Sequence, residues 1–172
     1  MTTKITLSGE VASGKTTIGK LLAERLNYEF ISLGTIIREK ADAEGLSIVD
    51  FQKKCQNDPN MDLEIDKDFS AFCNAREGLI IDYRMGFHFI EDAFHIYLKI
   101  SEEDAVERLK SAKRYNESFE TVRERNDSFK NQFFNAYQID YTAVENFDLI
   151  ITIEKSMTAE QIVETIMNHL KY

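Results

Sequence analysis

Residues 9–17 read Gly9-Glu10-Val11-Ala12-Ser13-Gly14-Lys15-Thr16-Thr17. The spacing of Gly9, Gly14, Lys15 and Thr16 is the GxxxxGK[ST] pattern. Its chemistry is phosphate binding. The two glycines let the backbone curl until several N–H groups converge on phosphate oxygens. A helix beginning at Lys15 adds the partial positive charge of its N-terminus. Lys15 reaches the β- and γ-phosphates, and the Thr16 hydroxyl can help hold Mg²⁺. Gly9, Ala12, Ser13, Gly14, Lys15, Thr16 and Thr17 are therefore the candidate residues for the donor nucleotide's phosphates.

A phosphate grip names a ligand, not a reaction. A guanine-reading NKxD is absent. A larger ATPase would want an acidic pair after a long apolar strand, whereas the strand at Leu79–Asp82 ends in one Asp. The stretch from Arg108 to Arg125 carries Arg108, Lys110, Lys113, Arg114, Arg123 and Arg125, a dense positive cluster in an acidic chain. Phosphoryl transfer needs positioning and charge neutralisation more than covalent help. Cations carried on a closing lid supply both, and a small kinase fits this arrangement.

The elements that must position these groups are legible from periodicity. Short β-rich runs at Lys4–Gly9, Tyr28–Ser32, Gly78–Tyr83, Ala93–Ile100 and Phe147–Ile153 predict five strands. Between them lie amphipathic stretches. Ile18, Leu21, Leu22 and Leu26 share one helical face after the glycine loop. Thr35 reads as the cap of a helix ending at Gly45, and Ser47 with Asp50 has capping-box spacing, as do Ser101 with Asp104 and Thr158 with Gln161. Pro59 reads as ending the helix after Ser47 or lying just beyond it, with a further helix over 61–75. Alternating strands and helices predict an α/β fold with a parallel sheet covered on both faces, a three-layer sandwich. Two stretches interrupt the alternation, 35–75 and 110–137, and both are candidate mobile flaps over a ligand.

The 172 residues suggest a single domain, 1–172, with 43% apolar and 30% charged residues. A net charge of -9 argues against a nucleic-acid polymer or an anionic membrane as partner, leaving small-molecule nucleotides held in a local basic pocket. Cys55 and Cys73 have no CxxC or Cys/His metal spacing and read as free thiols of a cytoplasmic protein. No apolar run approaches the roughly 20 residues of a membrane span. The chain runs straight into a core strand, which argues against a signal peptide. No long apolar helix face is left over, so a monomer is expected.

With these motifs in order, the chain resembles the cytidylate kinases, most closely their short archaeal type among the nucleoside monophosphate kinases. The resemblance rests on LSGEVASGKTT, FISLGTIIREKADAEGLSIVDF, DPNMDLEID, IIDYRM, SFETVRERNDSFK and YQID…FDLIIT. It implies a five-stranded parallel sheet in the order 2-3-1-4-5, an NMP-binding helical segment at 35–75 and a lid at 108–130. It also implies Mg²⁺-assisted transfer of the γ-phosphoryl of ATP to CMP or dCMP. Carried over, Arg38 and Arg84 hold the acceptor's phosphate, and Asp82 sits beside the acceptor or a metal-bound water. Arg123 and Asp127, an Arg-x-x-x-Asp pair on one helical face, serve phosphate and base. Lys15, Arg108, Arg114 and Arg123 are then the catalytic cations, with Arg108 or Lys110 first in the lid.

Three departures from the family pattern stand out, in the phosphate loop, in the strand-end element and in the helix after the lid. Glu10 puts a carboxylate beside phosphates and must point away. Ala12 stands where glycine is common and suits the loop if its φ is negative. Tyr83 replaces the glycine of an Asp-Gly-Arg element, so a ring beside the acceptor could change which base fits. Lys130, where an arginine is expected, keeps charge but not the planar fork. Another small acceptor, such as a modified nucleotide, and a nucleotide-binding module without transfer remain alternatives.

Overall fold

The computed structural model describes residues 3–113 and 118–170. In chain order these form β1 (Lys4–Gly9), α1 (Lys15–Leu26), β2 (Glu29–Ser32), α2 (Leu33–Ala43), α3 (Ile48–Asn57), α4 (Pro59–Asn74), β3 (Leu79–Asp82), α5 (Gly86–Phe89), β4 (Ala93–Ile100), α6 (Glu102–Ser111), α7 (Phe119–Tyr137), β5 (Leu149–Ile153) and α8 (Ala159–Leu170), with a 3₁₀ turn at Val144–Asn146. All four strand pairings are parallel and the order is β2-β3-β1-β4-β5, as the sequence resemblance implied.

The strands are apolar on both sides because helices cover both faces. Leu79, Ile80 and Ile81 are fully buried, as are Leu7, Ile96 and Leu98. One face packs Ile18, Leu22, Val106, Ile162 and Ile166 from α1, α6 and α8. The other packs Phe69, Cys73, Met85 and Tyr141. A third cluster, Ala41, Phe51, Cys55 and Ile65, holds α2, α3 and α4 together as a small helical unit. Burying one such side chain contributes about 1.5–3 kcal/mol, so this segment carries its own core.

Local rules explain most element ends. Ser47 accepts the Asp50 N–H at 3.1 Å, Ser101 accepts the Asp104 N–H at 3.1 Å, and Thr158 and Gln161 bond reciprocally. One expectation is corrected. Thr35 is not a cap: α2 starts at Leu33, directly from the strand, with Ser32 as its capping position. Pro59 lies just beyond α3, which ends at Asn57, as one of the two readings had it. It opens α4 as its first residue, where the missing N–H costs nothing, and the Asp58 side chain accepts the Asn60 N–H.

This topology places the carboxyl ends of β1, β2 and β3 side by side, since Leu7 and Ser32 both pair with Asp82. Ligands of open α/β sheets bind outside these strand ends. Among the described residues no helix is long and apolar enough to cross a membrane.

Candidate active site

The glycine loop is built by what it cannot accommodate. A Cβ on Gly9, at φ +150°, would lie 2.4 Å from the Leu98 carbonyl oxygen on β4, so only glycine fits beside that strand. Gly14, at φ +86°, turns the chain into α1. Between them, Glu10 points away from the loop, as required: its Oε2 accepts the Ile100 N–H at 2.7 Å and extends the β1–β4 ladder with a side chain. Burial raises the pKa of this carboxyl, and the Ile100 N–H opposes the rise.

Ala12 corrects an expectation. Its φ is +64°, not negative, so an L-residue occupies the left-handed region. That conformation costs a residue with a Cβ about 1–2 kcal/mol, part of which glycine would give back in chain entropy. Ala12→Gly should therefore stabilise the protein by about 1 kcal/mol, or about 3 °C in Tm for a domain of this size. Thermal denaturation checks it, and a lower Tm would mean that the alanine methyl packs better than its backbone strain suggests.

Lys15 lies folded into the loop. Its Nζ donates to the Gly9 carbonyl at 3.2 Å, the Glu10 carbonyl at 3.1 Å and the Ser13 hydroxyl at 3.4 Å. Ser13 itself donates to the Glu10 carbonyl at 2.8 Å. Burial, and next the positive charge of Arg84, push the Lys15 pKa down to about 7. Thr16 and Thr17 are exposed on the first turn of α1.

The Thr16 hydroxyl donates to Asp82 Oδ2 at 3.0 Å, linking the loop to the end of β3. Of the two places the resemblance allowed Asp82, beside the acceptor or beside a metal-bound water, this contact with Thr16 fits the second. A hydroxyl and a carboxylate oxygen are hard ligands and suit Mg²⁺, which takes one or two protein groups plus phosphates and waters. No cluster of three or more His, Cys, Asp or Glu able to hold a metal occurs among the described residues.

Arg84 follows two residues later. Its carbonyl accepts a hydrogen bond from Ser8, its guanidinium lies 3.8 Å from the centroid of the Phe129 ring, and its Nε is buried without a partner. Burial lowers its pKa, opposed chiefly by Tyr141 and Asp82. A buried, unpartnered donor beside a second cation is costly unless an anion completes it. Arg38, on α2, is exposed and donates to the Thr35 hydroxyl at 3.2 Å beside Gly34, near the end of β2. Tyr83 does not line the acceptor space. Its ring is 2% exposed and packs edge-on against Phe69 in the core, because successive strand residues point to opposite sides.

The lid assignments change most. Val122 is buried, and the half-buried Asn126, Phe129 and Phe133 follow it at intervals of three and four, so this face of α7 turns inward; Arg125, exposed, lies at its edge. Arg125 is close enough for its charge to lower the pKa of both Lys15 and Arg84. The Asn126 Oδ1 accepts the Val11 N–H at 2.9 Å, tying α7 to the phosphate loop. Arg123 lies about a quarter turn round and pairs with Glu102 at 2.7 Å on the outside, where Asp127 adds a weaker attraction. Lys130 pairs with Asp140 at 3.1 Å. The expected roles of Arg123 and Asp127 are thus not supported by their positions. The sequence did signal the right face: Val122, Phe129 and Phe133 mark it, and Arg125 lies at its edge.

Arg108 borders the phosphate loop: it donates to the Glu154 and Met157 carbonyls at 3.3 and 3.0 Å and lies beside Gly14. Arg114 lies outside the described residues. A cavity of about 240 Å³, lined in part by Lys40, Phe51, Met61 and Ile65, belongs to the helical segment and includes none of these phosphate-site residues.

Residues 5–128 match a protein-family model described as an AAA domain. The chain belongs to this P-loop family. It is 34% identical over 158 residues to a cytidylate kinase of Methanosarcina mazei, covering 88% of each chain, and 30% identical to a cytidylate kinase of Sulfurisphaera tokodaii, covering 96% of each. It is also 43% identical over 172 residues to an S-adenosylmethionine-dependent nucleotide dehydratase of Lacinutrix mariniflava, of which it spans 36%. Its fold matches the shikimate kinase of Bacteroides thetaiotaomicron with a TM-score of 0.67 at 20% identity over 99% of both chains. The architecture is that of a P-loop kinase, with cytidylate kinases as homologues.

Proposed function

We propose that the protein transfers the γ-phosphoryl of ATP, with Mg²⁺, to a pyrimidine nucleoside monophosphate, converting CMP or dCMP to the diphosphate. The observation that carries this reading is the convergence of Lys15, Arg84 and Arg125 at the ends of β1 and β3, with Arg84 Nε buried and unpartnered. One phosphate chain satisfies the loop and Lys15. A second phosphate, on the acceptor, would satisfy Arg84, with Arg38 near the end of β2 as a further cation for it.

In this reading the loop N–H groups and Lys15 hold the donor's β- and γ-phosphates. Thr16 and Asp82 would hold Mg²⁺, which when bound neutralises phosphate charge. An oxygen of the acceptor's phosphate forms a bond to the γ-phosphorus as the β–γ bridge bond breaks and its electron pair leaves with ADP. The attacking oxygen already carries charge, so no general base is needed, and the cations offset repulsion between the two anions.

The names of the relatives support a nucleotide acceptor, since cytidylate kinase and nucleotide dehydratase both concern nucleotides. A second reading, a nucleotide-binding module without transfer, is favoured by one observation: the dehydratase relative is much longer than this chain. A coupled ADP-release screen with ATP, Mg²⁺ and CMP, dCMP, UMP, AMP or GMP separates them. CMP or dCMP should stimulate ADP release most. ADP release that no acceptor stimulates would leave the module reading standing.

A further inference from the structure

The kinase reading leaves open what recognises the acceptor's base, and α7 carries an answer. This 19-residue helix runs from the phosphate loop, which Asn126 contacts, to α4, which Tyr137 contacts. Arg125 faces Lys15 and Arg84, Phe129 stacks on Arg84, Gln132 faces Asp62 of α4, and Tyr137 donates to Asp66, one turn further along α4. At 1.5 Å per residue, Arg125 to Gln132 advances about 10 Å. A nucleotide held by its phosphate at Arg84 and Arg125 and lying along α7 would reach Gln132 and Asp62.

Two carboxylates, Asp62 and Asp66, share this face of α4, and their partners differ. Asp66 is 8% exposed, and both its oxygens are taken, by the Tyr83 hydroxyl at 2.6 Å and by Tyr137. It fastens α4 to α7 and to the residue beside Arg84. Asp62 is only half-buried, and its neighbours are the Cys55 thiol and the exposed Gln132 amide. A thiol is a weak donor, and an exposed amide gives way easily.

We propose that Asp62 determines base specificity, accepting a hydrogen bond from the exocyclic amine of an aminopyrimidine such as cytosine, with Gln132 beside it. This rests on the kinase reading above. An ionised carboxylate only accepts hydrogen bonds. It pairs with the amine of cytosine, but meets the carbonyl oxygen at the same position of uracil with like polarity and no hydrogen. Sites built around one such contact discriminate strongly against the analogue that lacks it. The turn from Asp62 to Asp66, pinned by two tyrosines, keeps the carboxylate in register with the phosphate end.

The test is kcat/KM for CMP and for UMP in the wild type, Asp62→Asn and Asp62→Ala, with thermal melts of all three. The asparagine amide offers an N–H to the uracil oxygen. Asp62→Asn should lower the CMP-to-UMP ratio between tenfold and a hundredfold, the worth of one unmade polar contact in a closed site. Asp62→Ala should lower CMP turnover without raising that of UMP. If the wild type uses CMP and both variants keep its CMP-to-UMP ratio within twofold, Asp62 does not read the base, while the kinase reading survives. If the wild type phosphorylates no nucleoside monophosphate, that reading fails and this inference fails with it.

Discussion

Lys15→Ala is expected to lower kcat by about a thousandfold or more while moving Tm by only a few degrees. The first half follows from geometry. Lys15 is the one cation inside the loop itself, held by Gly9, Glu10 and Ser13 where the donor phosphates must lie. Removing a single preorganised donor from a closed site costs about 10²–10³ in rate, and this donor carries a full charge. A thousandfold corresponds to about 4 kcal/mol of transition-state stabilisation. The second half follows from electrostatics. The empty fold does not depend on the ammonium: burial and Arg84 both oppose its charge, which is why its pKa lies so low. Truncation removes that cost along with the three hydrogen bonds. Steady-state ADP release and a thermal melt on the same preparation check both halves. Residual activity within tenfold of the wild type would take Lys15 out of the donor site.

The depressed pKa also fixes a pH dependence. Below pH 7 Lys15 is protonated in the folded and the unfolded chain, and the cost of burying its charge is felt in full. Between about 7 and its ordinary value of 10.5 the unfolded chain holds the proton and the empty folded protein does not. The unfolded state then binds more protons, so this group's contribution to stability rises with pH across that window. Donor phosphates reverse the local field and draw the proton back. ATP binding at pH 8 should therefore take up close to one proton, and Lys15→Ala should abolish the uptake. Calorimetric titrations in buffers of different ionisation enthalpy measure it directly.

The donor half of this site was legible in the sequence because backbone conformation makes it. Gly9, Gly14 and the helix at Lys15 are local features, and a local spacing describes them fully. Sheet order followed from the family resemblance, and every strand lay where the apolar runs put it. The acceptor half depends on which way side chains face, and there a spacing rule underdetermines the answer. Arg123 and Asp127 do share a helical face, but it is the outer one, because Val122, Phe129 and Phe133 turn the other side inward. Asp82 meets Thr16, which lies 66 positions away in the chain, through the register of β1 and β3. Asn126 reaches Val11 across 115 positions. Neither pairing has a sequence signature. Ala12 erred in the opposite direction: local sterics favour a negative φ, and the loop's closure overrides them.

The contrast between Arg84, Arg125 and Arg123 tests this outcome most severely. Arg84→Ala should reduce kcat/KM for the acceptor by about a thousandfold, through a higher KM and a lower kcat. Its guanidinium is enclosed by Phe129 and Tyr141, and the field of Lys15 and Arg125 around it is positive, so the transferred charge meets it in a low-dielectric setting. Removing one partner of a buried charge pair costs about 3–5 kcal/mol, which brackets that factor. Arg84→Lys should recover only part of the loss, because an ammonium keeps the charge but neither the fork nor the flat stacking on Phe129. Arg125→Ala should cost less, about a hundredfold, and should fall mainly on kcat, since in the proposed reaction Arg125 would meet the phosphates from α7 rather than from the strand ends. Arg123→Ala should stay within about threefold of the wild type. Its guanidinium is committed to Glu102 on the outside of α7, where solvent screens it. If Arg123→Ala were the more damaging of the two lid variants, the inward face of α7 would have to turn by about a quarter of a revolution when substrates bind. The Asn126–Val11 contact would then have to break, and an Asn126→Ala variant would leave transfer untouched.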